Sequence, residues 1–147
     1  MKKRLKIYAA GKMMGLDLKE MNEWRVNLKT ILNNLVELKD NYEIDLINPV
    51  DFYNFENKAH KSEKEVMRFD LAHVKSSDII IVNLENVNTS VGTCIELYEA
   101  YKQEIPILAF GTDEAYEQTH PWLKECITRV ESNIIGLCNY IFDFYMV

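Results

Sequence analysis

The sequence lacks the patterns that staple small proteins or hold metals: its 3 cysteines, Cys94, Cys126 and Cys138, are odd in number, far apart and without a CxxC pair. Neither a disulfide framework nor a metal site fits that spacing, and the apolar surroundings read as reduced core thiols in a cytoplasmic protein. An excess of positive charge is missing too. With 17 Lys and Arg against 23 Asp and Glu the formal charge is −6, which argues against a nucleic-acid polymer as partner. No apolar run is long enough to span a membrane. The basic start KKRLK at 2–6 leads into a strand-like run with no apolar leader, so no secretory signal is expected. Internal repeats, low-complexity tracts and linkers are also absent, so 1–147 reads as a single domain. What remains, 48% hydrophobic and 27% charged residues, is the balance of a soluble globular chain able to bury a core.

The chain is organised around residues 77–100, SDIIIVNLENVNTSVGTCIELYEA. After Asp78, the β-branched run 79–82 with Leu84 reads as a strand buried on both faces, in the middle of a parallel sheet. A polar loop follows at 85–90. Gly92 and Thr93 then open a helix reaching residue 102, with Ile95, Leu97, Tyr98 and Tyr101 apolar. This order puts Ser90, Gly92, Thr93 and Glu96 at the carboxyl edge of the sheet, where open α/β folds bind ligands. Thr93-x-x-Glu96 equally reads as a capping box, in which the glutamate serves only its own helix.

The flanking segments alternate in the same way. LKIYAA at 5–10 is a first strand carrying Tyr8 near its carboxyl end. It runs into Gly11-Lys12-Met13-Met14-Gly15, where glycines beside a lysine let the backbone approach a phosphate or sugar. The full GxxxxGK[ST] pattern is missing, which excludes a P-loop triphosphatase. A helix is predicted over 17–40, with Trp24, Leu28, Ile31, Leu35 and Leu38 as its apolar stripe. A second strand at 43–47 stops at Asn48-Pro49, so Asn48, Pro49 and Asp51 form another loop at the same edge. Phe52, Tyr53 and Phe55, within 51–60, either line a base-binding cleft or fold down on the core.

Ser62-x-x-Glu65 caps a helix running through residue 75, with Val66, Phe69, His73 and Val74 on its buried face. Asp70 falls on that face. A carboxylate there is either held in a buried ion pair, with Arg68 or Lys75, or put to use. His73 reads as a packed helix residue. Beyond residue 102 the pattern gives a strand at 105–110, a polar loop at 111–119, a short helix from His120, a short strand at 128–130 and a terminal helix at 132–145. The alternation predicts an α/β fold of flavodoxin or Rossmann type: a doubly wound, mostly parallel sheet of about five strands flanked by helices.

Taken in order, KIYAAGKM (6–13), NPVDFY (48–53), MRFDL (67–71), SSDIIIVNL (76–84) and SVGTCIE (90–96) resemble the nucleoside 2-deoxyribosyltransferase family. The resemblance runs from about residue 6 to residue 110, and HPWLKEC with the late DFY is similar to a bacterial and phage branch. It implies that Glu96 is the nucleophile attacking C1′ of a 2′-deoxynucleoside, giving a deoxyribosyl ester that a second free nucleobase resolves with retention. Asp70 would exchange the proton with the base, and Tyr8 would orient the nucleophile. Gly11, Lys12, Met13, Asn48, Pro49, Asp51, Ser90, Gly92 and Thr93 would surround the substrate. No metal and no cofactor is implied. The chemistry parallels retaining glycoside hydrolysis. It requires the two carboxyl groups to differ in acidity, with Glu96 ionised and Asp70 able to hold a proton.

One position departs from the family pattern. Members acting on free nucleosides often carry an acidic residue six positions before the nucleophile, and this chain has Ser90. A serine beside a helix N-terminus can donate to a 5′-phosphate that a carboxylate would repel. In this respect the chain resembles the related deoxynucleoside 5′-monophosphate N-glycosidases, in which water replaces the acceptor base, although only Lys12 offers a charge in the first loop. Base transfer stays the first expectation. Hydrolysis of 5′-monophosphates and a non-catalytic nucleotide-binding module are its alternatives. The resemblance also implies a homo-oligomer whose subunits complete each other's sites, with Asn133 and residues 143–147 as candidates.

Overall fold

The structure, a computed structural model, describes residues 1–53 and 56–147. Its sheet holds β1 (Lys3–Ala10), β2 (Tyr42–Ile47), β3 (Ile79–Asn83), β4 (Ile107–Phe110) and β5 (Arg129–Glu131) in the order β2-β1-β3-β4-β5. Every pairing is parallel. The strand order reverses between β1 and β3, in register Ile7 to Ile79 and Ala10 to Val82, and at such a switch point a crevice opens outside the strand ends. β3 is central, as its uninterrupted apolar run requires, and Ile79, Ile80, Ile81 and Val82 are all buried.

Period-2 alternation divides the core into two layers. Ile7, Ala9, Ile79, Ile81 and Leu108 meet Leu28 and Leu32 of α1 (Leu18–Val36) and Leu137 of α6 (Ile134–Tyr140). On the opposite face Tyr8, Ala10, Ile80, Val82 and Ile107 meet Val74 of α2 (Glu63–Lys75) and Leu97 and Ala100 of α3 (Val91–Lys102). Tyr8 therefore points toward the two helices that carry Asp70 and Glu96. These helices are also joined by ions: Glu99 of α3 takes Lys75 at 3.2 Å and Lys102 at 2.9 Å. Among the described residues no helix is long and apolar enough to cross a membrane.

Four local readings change. α1 stops at Val36, beyond which the Leu38 and Lys39 amides turn back to carbonyls three residues earlier, and Leu38 is left 72% exposed. Its buried row is Met21, Arg25, Leu28 and Leu32, set slightly round the helix from the expected stripe. The supposed polar loop at 111–119 contains α4 (Asp113–Gln118), capped by Thr112 and carrying Asp113 and Glu114 in its first turn. Acidic side chains at a helix N-terminus favour the local dipole, which a reading of polarity alone overlooks. α5 (Pro121–Cys126) begins on proline as expected. The terminal helix breaks at Tyr140 into a π-turn, Ile141–Tyr145, closed by Met146 N donating to Ile141 O at 3.2 Å. Met146 is buried, Phe142 and Tyr145 pack on the chain's own core, and the Tyr42 hydroxyl donates to Val147 O at 2.7 Å. Phe142, Tyr145 and Met146 are thus engaged within their own chain, while Asp143, Phe144 and Val147 stay exposed.

Candidate active site

Tyr8, fully buried near the end of β1, donates its hydroxyl hydrogen to Glu96 Oε2. That bond joins residues 88 positions apart and settles what Glu96 does locally. The N-cap of α3 is Ser90, which makes no side-chain bond to the helix backbone. Thr93, in the first turn, shares a 2.7 Å hydroxyl contact with Ser90. Glu96 sits a turn further on and reaches β1, so the capping-box reading does not hold.

Asp70, partly buried on α2, accepts from the Tyr53 hydroxyl at 2.5 Å. Tyr53 follows a short 3-10 turn, Pro49–Phe52, that the end of β2 feeds. The expected ion pairs of Asp70 do not form, because Lys75 is taken by Glu99, and the ion pairs among the described residues include none of Asp70 with Arg68. His73 is the packed residue expected of it: its ring stacks on Phe52 at 4.9 Å, and its buried Nδ1 has no hydrogen-bond partner among the described residues.

Arg25 was not expected. It is 1% exposed, and its guanidinium donates to Ala9 O and Gly11 O at 3.1 Å each and to Met21 O. It lies over the Trp24 ring at 4.4 Å. A buried cation satisfied only by carbonyls keeps its full charge available to nearby anions. The sequence signal was its place in an apolar row, four after Met21 and three before Leu28.

Burial sets the electrostatics. Desolvation pushes the Glu96 carboxyl up to about 7, with the Asp70 charge adding to the rise and the Tyr8 hydroxyl and Arg25 opposing it. Asp70 is raised as well, chiefly by desolvation, against donation from Tyr53 and the charges of His73 and Arg25. Burial and Glu96 raise Tyr8 far above the ordinary phenol value, so it stays a donor. Arg25, lowered by burial to about 10, stays a cation at neutral pH. Both carboxyls are thus raised, chiefly by desolvation, and the Asp70 charge adds to the rise at Glu96. In Tyr8→Phe the donation that holds Glu96 down is gone, so its carboxyl should titrate above about 7. Side-chain carbon NMR across pH 5–9 reads this, and an unmoved midpoint would mean that the hydroxyl carries no load.

The remaining expected residues separate into groups. Lys12 Nζ donates to Thr89 Oγ1 at 2.9 Å, which brings the first loop beside Ser90 and Thr93. Gly11 is required by crowding, since a Cβ there would lie 2.7 Å from the Trp24 ring. Gly92 instead faces open space, with nothing within 4 Å of such an atom. Met13 is partly buried. Asn48 is committed to structure, capping the 3-10 turn through Val50 N at 3.0 Å and donating to Asn22 at 2.8 Å. Pro49 is buried within that turn and Asp51 is exposed on it. Phe55 lies outside the described residues. Two clefts flank α1: one of about 830 Å³ along the ends of β3 to β5 and one of about 870 Å³ reaching the first loop, sharing Trp24, Asn27, Asn83, Glu85, Asn86 and Ile134. Lys12 lines the second, but Tyr8, Asp70 and Glu96 line neither. The carboxylates lie toward α2 and α3, on the other side of the sheet edge.

The sequence model of the family described as nucleoside 2-deoxyribosyltransferase matches residues 21–139. Comparison with curated proteins returned no match. Among solved structures the chain is similar to a conserved protein from Enterococcus faecalis V583, with 20% identity, 96% of this chain and 99% of that one covered, and a TM-score of 0.68. It is similar to a 2-deoxyribosyltransferase from Bacillus psychrosaccharolyticus, with 21% identity, coverage of 92% and 91%, and a TM-score of 0.65. The CMP N-glycosidase of Clostridium botulinum aligns at 19% identity over 95% and 98%, with a TM-score of 0.56. At these identities the three structures show a shared fold.

Proposed function

The chain belongs to the nucleoside 2-deoxyribosyltransferase family, and from that membership we propose that it moves the 2-deoxyribosyl group of a nucleoside from one nucleobase to another through an ester on Glu96. Family membership and the likeness to both a transferase and an N-glycosidase support breaking or remaking an N-glycosidic bond. The single observation that carries the finer reading is the Tyr8 to Glu96 hydrogen bond. It holds one carboxylate at the switch point, electrostatically coupled to Asp70. In the first half-reaction Glu96 attacks C1′, the C1′–N electron pair leaves with the base, and Asp70 supplies the base with its proton. In the second, the incoming base attacks C1′, the ester C–O bond returns its electrons to Glu96, and the proton of the base passes to Asp70. Two inversions give retention. Arg25 supports this by favouring the ionised nucleophile.

Hydrolysis of 5′-monophosphates is the second reading, and the local geometry around Ser90 favours it. Ser90, Thr93 and the N-terminal amides of α3 sit beside Lys12, held through Thr89, a donor-rich setting for a phosphate. Ser90→Asp should cut the preference for a monophosphate over the free nucleoside at least about tenfold, read as the ratio of kcat/KM values; an equal response of both substrates would remove Ser90 from phosphate selection. The deciding experiment incubates the protein with deoxyinosine or a deoxynucleoside monophosphate, with and without free adenine or cytosine, and separates the products. A new nucleoside means transfer, deoxyribose or its phosphate means hydrolysis, and binding without base release means a nucleotide-binding module. A homo-oligomer is part of the same proposal, supported by Val91, Ile95 and Tyr98, which stand exposed along one stripe of α3.

A further inference from the structure

Within the reading of Glu96 and Asp70 given above, we infer that Tyr53 is a positioning residue for Asp70: by occupying one carboxyl oxygen it confines the transferable proton to the other. The Tyr53 hydroxyl donates to Asp70 Oδ1. An oxygen already accepting a strong hydrogen bond is the poorer seat for a second hydrogen, so a neutral Asp70 carries its proton on Oδ2. Oδ2 has no hydrogen bond among the described residues, which leaves it to face a base nitrogen. Tyr53 comes from a different element than Asp70, so it fixes the carboxyl group from outside α2. Its ring stands edge-on to Phe69, the residue before Asp70, at 6.5 Å and to His60 at 5.8 Å.

The same bond changes strength during cleavage. As the C1′–N electron pair departs and the Oδ2 hydrogen moves to the base, Asp70 becomes an anion while Glu96 forms the C1′–O bond. Tyr53 then donates to a charged acceptor, and charge-assisted bonds are the stronger kind. Tyr53 thereby makes Asp70 a better acid in the direction the reaction needs. The other groups acting on Asp70 are His73 on α2, Arg25 on α1, Glu96 on α3 and Tyr8 on β1. Of these, His73 and Arg25 also favour the anion, whereas Glu96 opposes it.

Tyr53→Phe keeps the ring packing and removes only the donor. Its kcat on deoxyinosine should fall about tenfold, a fraction of what general acids supply, with KM nearly unchanged. Release of nitrophenol from p-nitrophenyl 2-deoxyriboside should hold to within about twofold, because that leaving group departs without a proton. An equal loss on both donors would reduce Tyr53 to a packing residue and overturn the inference. NMR titration of the Asp70 side-chain carbon reads the same bond without turnover: its midpoint should rise in Tyr53→Phe, and an unmoved midpoint would also overturn the inference. Should the wild-type protein release no base from any deoxynucleoside or monophosphate, the proposed reaction fails, whereas a normal wild type beside an unaltered Tyr53→Phe removes Tyr53 alone.

Discussion

Glu96→Ala should lower base exchange by at least about 10⁴-fold, because loss of a covalent nucleophile leaves only binding and positioning to act. Substrate affinity, measured by calorimetry, should change little, and near-normal turnover would remove the ester intermediate. The isosteric Glu96→Gln carries a second, opposite effect on stability. Glu96 titrates near 7 in the folded chain against an ordinary value of 4.5, so folding favours its protonated form. The cost of ionising it is absent below about pH 4.5, grows as pH rises toward 7 and is complete above. The rise from 4.5 to about 7 corresponds to roughly 3.5 kcal/mol as an upper bound, less where solvent reaches the group. Glu96→Gln should therefore melt several degrees above wild type at pH 8 and show no such gain at pH 4.5. Equal shifts at both values would contradict desolvation as the cause. Such a gain at the expense of activity is what a strained functional site predicts.

Asp70→Asn should slow exchange of natural nucleosides by about 10²- to 10³-fold, the usual share of a positioned acid and base. An activated donor whose leaving group needs no proton should lose far less, and free base should not rescue the variant. The substitution also removes the negative charge that helps raise Glu96, so the Glu96 midpoint should fall below about 7. Rate measurements with both donors, joined to the Glu96 titration, check the two consequences together. A uniform loss on both donors with an unmoved Glu96 midpoint would place Asp70 outside the proton path.

Much of this was legible along the chain because it rests on local patterns. The β-branched run at 79–82 announced the central strand, and the alternation of strands with helices announced parallel pairing, while the order β2-β1-β3-β4-β5 comes from the structure. Asp70 stood out as a carboxylate on an otherwise apolar helix face, and the meeting of Tyr8 with Glu96 agrees with what the family resemblance implied. Other features depend on what lies across space. Arg25 escaped notice because an arginine in a helix is ordinarily assigned to solvent, and the Ala9 and Gly11 carbonyls that bury it arrive from β1 and the loop after it. Tyr53 sat in an aromatic stretch without a period, so no spacing rule could select it over Phe52. The raised state of both carboxyls follows from a desolvated setting they share, and no sequence pattern reports shared desolvation.

Glu99, an acidic residue only 9% exposed, has a consequence for the two helices it touches. Seated between Lys75 at the end of α2 and Lys102 at the end of α3, it fastens together the two rods that carry Asp70 and Glu96. The joint lies within one turn of Glu96 along α3, so it braces the helix pair beside the Tyr8 to Glu96 bond.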